Sequence, residues 1–171
     1  MILLTGFGPF LDVRDNPSAT LVQALDGARI AGFTVVAEVL DVSYQRAPAR
    51  VVELAAIFEP VLVIGTGVAS TRDEVQVERA GRGGPSEGMD VDGACPELRP
   101  GVYYSPVADA LARALGVRLS SDAGRYVCNA WLYRVGRALN PPVGFVHIPP
   151  EGIPAAPFLN ALGRVAEDLP L

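Results

Sequence analysis

Residues 61–67, VLVIGTG, constrain the fold more than any other stretch. The run is short, β-branched and apolar without alternation, and glycines close it. That pattern marks a strand buried on both faces. Similar apolar runs recur at 1–7 (MILLTGF), 33–42 (FTVVAEVLDV) and 144–150 (GFVHIPP). Between them lie segments with helical signals. Asn16 is a predicted N-cap for a helix over 16–27, with Pro17 in its first turn and Gly27 past its end. Helices are also predicted over 45–59, 105–116, 128–139 and 155–168, that over 105–116 with Ser105 as N-cap, Pro106 at its first position and Gly116 as its stop. VQVERAG (75–81) alternates like a strand, and 117–123 is a weaker one. Strand–helix alternation of this kind predicts an α/β fold: a three-layer α/β/α sandwich around a mostly parallel mixed sheet. The expected organisation is one domain over residues 1–171.

Composition narrows the function. No apolar run approaches the roughly 18 residues that a membrane span needs, and the first residues lack a basic leader. A cytoplasmic protein is expected, with no membrane partner. Net charge is −5 and no arginine cluster stands out, so nucleic acid is not an expected partner. All 14 basic residues are arginine, which excludes Schiff-base lysine chemistry and a P-loop lysine. Two cysteines make no disulfide framework, and a single histidine argues against a zinc site.

One segment breaks the rhythm. Residues 81–101 hold six glycines and three prolines. A loop that long either builds a site or is an unstructured insertion.

The chemistry-bearing candidates are few. Cys128 lies at the predicted start of a helix, where the free N–H groups and the dipole favour a thiolate. Cys128, Leu132, Val135 and Leu139 share a helix face, which aims the sulfur toward the sheet. The competing reading is a buried, inert cysteine. His147 falls near the end of an apolar strand, where open α/β sheets collect their sites. Together they make a thiol–imidazole pair, unless His147 is a core histidine. An orienting carboxylate is then needed, and Glu78, at a strand end beside the glycine-rich segment, is the candidate. Its alternative role is a solvated charge paired with Arg79. Phe7 and Phe10 bracket the first turn, as core residues or as an apolar slot for a flat uncharged ring. The turns TGFGPF (5–10) and GTGVAS (65–70) show G-x-G, but Leu11 and Ser70 stand where a dinucleotide fingerprint needs its third glycine or alanine.

In order, LLTGFGPF…NPS, GTGVASTR…VQVER, GRYVCNAWLY and GFVHIPP resemble pyroglutamyl peptidase type I, the pyrrolidone-carboxylate peptidases, a cysteine peptidase family. The resemblance spans about residues 1–150. It implies an α/β/α sandwich, no cofactor, removal of an N-terminal pyroglutamyl residue from peptides, and a homotetramer as a possible assembly. It places the nucleophile at Cys128, the histidine at His147 and the glutamate at Glu78. It places the pyroglutamyl pocket at Phe7, Phe10, Tyr126 and Val127, with Asn16 and Gly67 as further substrate contacts. The chain departs from the family after Glu78: the position of a site arginine falls near Gly88, and Arg79 and Arg82 lie nearby without being clear replacements. A related thiol hydrolase of shifted specificity and a nucleotide-binding module are the alternative functions.

Overall fold

The computed structural model describes residues 1–170. Its strands and helices are β1 (Ile2–Phe7), α1 (Pro17–Leu25), β2 (Arg29–Ile30), β3 (Phe33–Leu40), α2 (Arg46–Phe58), β4 (Leu62–Val68), β5 (Gln76–Glu78), β6 (Ala80–Pro85), β7 (Glu97–Tyr104), α3 (Ala108–Leu115), β8 (Arg118–Ser120), α4 (Val127–Ala138), β9 (Val143–Ile148) and α5 (Ala155–Glu167). Seven strands form one sheet in the order β2-β3-β1-β4-β9-β5-β8. The β3-β1-β4-β9 core is parallel, and so is β5-β8. Two pairings are antiparallel: β2 with β3, and β5 with β9.

The apolar strands divide their side chains between two cores, as a period of two dictates. Ile2, Leu4, Ile64 and Val146 face one side, against Leu21 and Val22 of α1, Leu111 of α3 and Phe158 of α5. Leu3, Val63 and Phe145 face the other, against Val51 of α2 and Trp131 of α4. This is the expected three-layer sandwich. Asn16 caps α1 by accepting from the Ser18 N–H, and Gly27 follows with a left-handed φ of 76°. Gly116 ends α3 in the same conformation, with φ 68°. The start of α3 differs from expectation. The helix begins at Ala108 with Val107 at its cap, so Ser105 does not cap it and its hydroxyl is buried without a partner among the described residues.

The glycine-rich segment is neither unstructured nor a simple loop. β6 and β7 pair antiparallel from Ala80↔Tyr104 to Pro85↔Glu97, with an irregularity between Arg82 and Gly84. The strand predicted over 75–81 therefore breaks at Arg79, into a sheet strand and a hairpin strand. The hairpin is fixed to α4. Asn129 accepts from the Arg82 N–H at 2.8 Å and donates to the Arg82 carbonyl at 2.9 Å, and the Tyr133 hydroxyl donates to the Arg99 carbonyl at 2.8 Å. Gly81 is required by this approach, because a Cβ there would lie 2.4 Å from the Tyr133 backbone nitrogen.

The hairpin tip has its own anchor. The buried Asp90 carboxylate accepts from the N–H groups of Tyr44, Asp92 and Ala94, and Asp92 accepts from the Ser43 hydroxyl and Arg46. The Tyr44 hydroxyl donates to the Gly88 carbonyl and the Tyr126 hydroxyl to the Met89 carbonyl, at 2.9 and 2.8 Å. Burial pushes the Tyr44 hydroxyl up to about 12, so it stays a donor throughout the neutral range. Gly81→Ala is expected to destabilise the protein by about 1–3 kcal/mol, since rigid backbone rather than a movable side chain opposes the methyl group. Urea denaturation measures this, and an unchanged midpoint would contradict the close packing of hairpin and helix.

Candidate active site

The sheet register brings His147 and Glu78 together. Gln76 pairs with His147 across the antiparallel β5-β9 step. Glu78 lies two residues on, on the same face, and reaches the histidine diagonally. His147 Nδ1 lies 2.6 Å from Glu78 Oε1, and both side chains are buried. Glu78 is 0% exposed. A carboxylate only accepts, so Nδ1 carries the proton and Nε2 is left as the nitrogen free for chemistry. The solvated Glu78–Arg79 pair is thereby ruled out. Arg79 turns instead toward Asp109, at 3.9 Å on the surface.

Cys128 enters the same place from the helix layer. Gly67 of β4 is the register partner of His147 on β9. A Cβ built on Gly67 would lie 2.7 Å from Cys128 Sγ and 3.1 Å from the Phe145 ring. The Phe145 and His147 rings stack edge to face at 5.0 Å, on the face that α4 covers. The sulfur thus lies over the β4–β9 pair at the level of His147, and only glycine at position 67 leaves it room. Neither glycine of the second G-x-G is a phosphate-binding turn. Gly65 and Gly67 both lie inside β4, and a Cβ on Gly65 would strike Phe145 and Trp131.

The expected lowering of the thiol pKa is not what the structure gives. Cys128 is the second residue of α4, as its sequence position requires. Yet burial pushes its thiol up to about 12, and the nearby Glu78 charge pushes in the same direction. Arg72 and the residue's own N–H pull it back, but by less. Desolvation of the thiolate outweighs the helix terminus. Glu78 behaves differently. Burial would raise its carboxyl, but His147, Ser120 and Arg72 hold it below the usual carboxylate value of 4.5.

Sequence reasoning missed Arg72. Its Nη1 lies 2.6 Å from Glu78 Oε1, the same oxygen that faces His147, and its Nη2 donates to the Asp122 carbonyl at 2.6 Å. Neither Arg79 nor Arg82 makes such a contact. The signal available in the sequence was its place as the last residue of the GTGVASTR motif, six residues before the glutamate.

The expected pocket residues divide into two groups. Phe7 and Val127 are packed in the core, at 3% and 1% exposure. Phe10 and Tyr126 stay partly accessible with ring centroids 6.2 Å apart, and Tyr44 meets Tyr126 edge to face at 5.6 Å. The buried Asn16 amide is committed. It donates to the Gly8 carbonyl at 3.0 Å and accepts from Ser18, so it shapes the turn between Phe7 and Phe10.

Known proteins resemble this chain over most of its length. A pyrrolidone-carboxylate peptidase of Coprothermobacter proteolyticus is 36% identical over 166 residues, which cover 86% of this chain and 80% of its own length. One from Saccharolobus islandicus is 32% identical over 164 residues, covering 86% and 78%. The chain belongs to the pyroglutamyl peptidase family. The family model for pyroglutamyl peptidase matches residues 1–83 and ends inside β6, where the glycine-rich segment begins. The pyrrolidone carboxyl peptidase of Thermococcus litoralis shares the fold, with a TM-score of 0.84 at 23% identity over 97% of this chain and 91% of that one. The pyroglutamyl peptidase I of Bacillus amyloliquefaciens superimposes with a TM-score of 0.79 at 25% identity, over 96% and 94%. Among the described residues, no helix is long and apolar enough to cross a membrane.

The depressed Glu78 carboxyl makes a prediction about pH. A carboxyl whose folded value lies below its unfolded value stabilises the fold fully above the unfolded value and loses that stabilisation as pH falls through the folded one. The stability gap between wild type and Glu78→Gln is therefore expected to be constant above about pH 4.5 and to shrink below it. Denaturation midpoints taken across that range measure the gap, and a gap that widens on acidification would contradict the assignment.

Proposed function

We propose that this chain is a thiol peptidase that removes an N-terminal pyroglutamyl residue from peptides, with Cys128 as nucleophile, His147 as base and then acid, and Glu78 as the group that orients His147. The observation that carries the reading is the buried His147–Glu78 contact, formed beside Gly67, the register partner of His147, where a built Cβ would lie 2.7 Å from the Cys128 sulfur. Family membership supplies the reaction class.

Desolvation and the Glu78 charge both oppose a standing thiolate at Cys128. The thiol acts only as its proton passes to His147 Nε2 and the S–C bond to the pyroglutamyl carbonyl forms. An α-helix leaves its first N–H groups without internal partners, and those of Val127, Cys128 and Asn129 occupy that position in α4. They are the donors for the oxyanion. As the tetrahedral adduct collapses, the C–N bond breaks and His147 gives its proton to the leaving amine. Water then attacks the thioester with His147 again taking a proton. Pyroglutamate leaves and the thiol is restored.

The acyl specificity follows from what a pyroglutamyl group lacks. Its amine is already acylated within a lactam, so a site built to hold an ammonium cannot grip it. A flat neutral ring suits an apolar aromatic slot with a few backbone hydrogen bonds. Phe10 and Tyr126 supply the accessible rings, and Phe7 and Val127 back them from the core. A second reading, a thiol hydrolase with another acyl preference, draws on one observation: the divergent hairpin tip is bonded to the Tyr126 ring's own hydroxyl.

A fluorogenic pyroglutamyl amide separates the readings. Wild type is expected to hydrolyse it and to leave the corresponding prolyl amide intact, while Cys128→Ala is expected to be inactive. Hydrolysis of other acyl amides in preference to pyroglutamyl would favour the second reading. Glu78→Gln is expected to fold and to lose roughly 10²-fold in turnover. Unchanged turnover would remove Glu78 from the machinery.

A further inference from the structure

A buried carboxylate beside a nucleophilic sulfur is an electrostatic problem. Glu78 must be ionised to orient His147, yet its charge opposes ionisation of Cys128. A compensating cation within a few ångströms resolves the conflict, because opposite charge that close favours the anionic form of both groups.

Arg72 occupies that position. It lies in the turn between β4 and β5, and its side chain is only 22% exposed. One nitrogen contacts Glu78 Oε1, while a second is tied to the Asp122 carbonyl in the segment that leads into α4 and Cys128. The guanidinium is thus pinned at both ends between the strand that carries the carboxylate and the connection that delivers the thiol. Glu78 Oε2 is buried without a geometric hydrogen-bond partner among the described residues, and the contacts with His147 and Arg72 both fall on Oε1. The ionisable groups around the sulfur are Glu78 and Arg72, from β5 and the turn before it, His147 from β9 and Tyr126 from the start of α4.

We propose that Arg72 is a positioning residue of the thiol site: it holds Glu78 against His147 and offsets the carboxylate's charge at the Cys128 sulfur. The inference rests on the proposed triad, and it assigns to a turn residue a role that neither Arg79 nor Arg82 fills. Arg72 touches no reacting atom. It acts through Glu78 and through its charge.

The test is the rate of alkylation of Cys128 by iodoacetamide as a function of pH, read by peptide mass spectrometry, with the exposed Cys95 of the same chain as internal reference. Arg72→Met is expected to slow Cys128 alkylation about tenfold relative to Cys95 near neutral pH and to move the pH profile up by about one unit. Arg72→Lys retains a cation and is expected to stay within about threefold of wild type. Unfolding gives the opposite sign, because it exposes Cys128 and speeds its reaction. Equal or faster Cys128 alkylation in Arg72→Met overturns the proposal, and so does an equal slowing in Arg72→Lys, which would mean that packing alone is lost. Turnover of the pyroglutamyl amide is measured in parallel, with the loss in Arg72→Met expected in kcat rather than KM. If wild type failed to turn over that amide, the proposed substrate would fall, while the alkylation rates would still decide the role of Arg72.

Discussion

The contact between His147 Nδ1 and Glu78 Oε1 is the interaction on which the proposed site depends, and the register of β5 against β9 sets it up. A carboxylate with no exposed surface is costly unless its charge is met. Here it is met by one imidazole and one guanidinium on a single oxygen. The antiparallel step from β9 to β5 makes this possible. It sets β5 and β8 against the direction of the β3-β1-β4-β9 core and so brings Glu78 alongside β9 on the face of His147. A purely parallel sheet would carry the strand after β4 away from that point.

The helix layer then delivers the sulfur. Trp131 and Phe145 set the height of α4 over the sheet, and two glycines in β4 let it settle there. Close packing has an electrostatic cost: the thiol becomes a poor acid, well above what a helix terminus alone would produce. The proposed mechanism accordingly has the thiol pass its proton during attack rather than store a thiolate. Arg72 reduces the cost without removing it. Packing and chemistry are the same problem here, since the glycines that admit the sulfur also bury it.

Much of this was legible in the sequence, and the reasons differ by element. The buried strands announced themselves because an unalternating apolar run must be covered on both faces. α1 was legible through Asn16 and Gly27, whose side-chain and backbone chemistry act locally. Cys128 and His147 stood out because the chain has two cysteines and one histidine, whereas Glu78, one of 19 acidic side chains, was reached through its strand-end position and the family resemblance. The hairpin of β6 and β7 was not legible. Glycine and proline dominate it, and its order comes from Asn129, Tyr133 and Tyr44, all distant in sequence. Arg72 was hidden for the same reason: its partners are fixed by tertiary distance and not by any local pattern. The reversal of Ser105 from cap to buried hydroxyl shows how little a terminal turn is fixed by one residue.

The central claim is that Cys128 attacks the pyroglutamyl carbonyl. An affinity label that joins a pyroglutamyl group to a chloromethyl ketone tests it directly, because the reagent must first occupy the acyl slot. The account predicts one label per chain, carried by Cys128, with loss of activity in proportion and protection by free pyroglutamate. Labelling at Cys95 instead, or full activity in a protein labelled at Cys128, would contradict it.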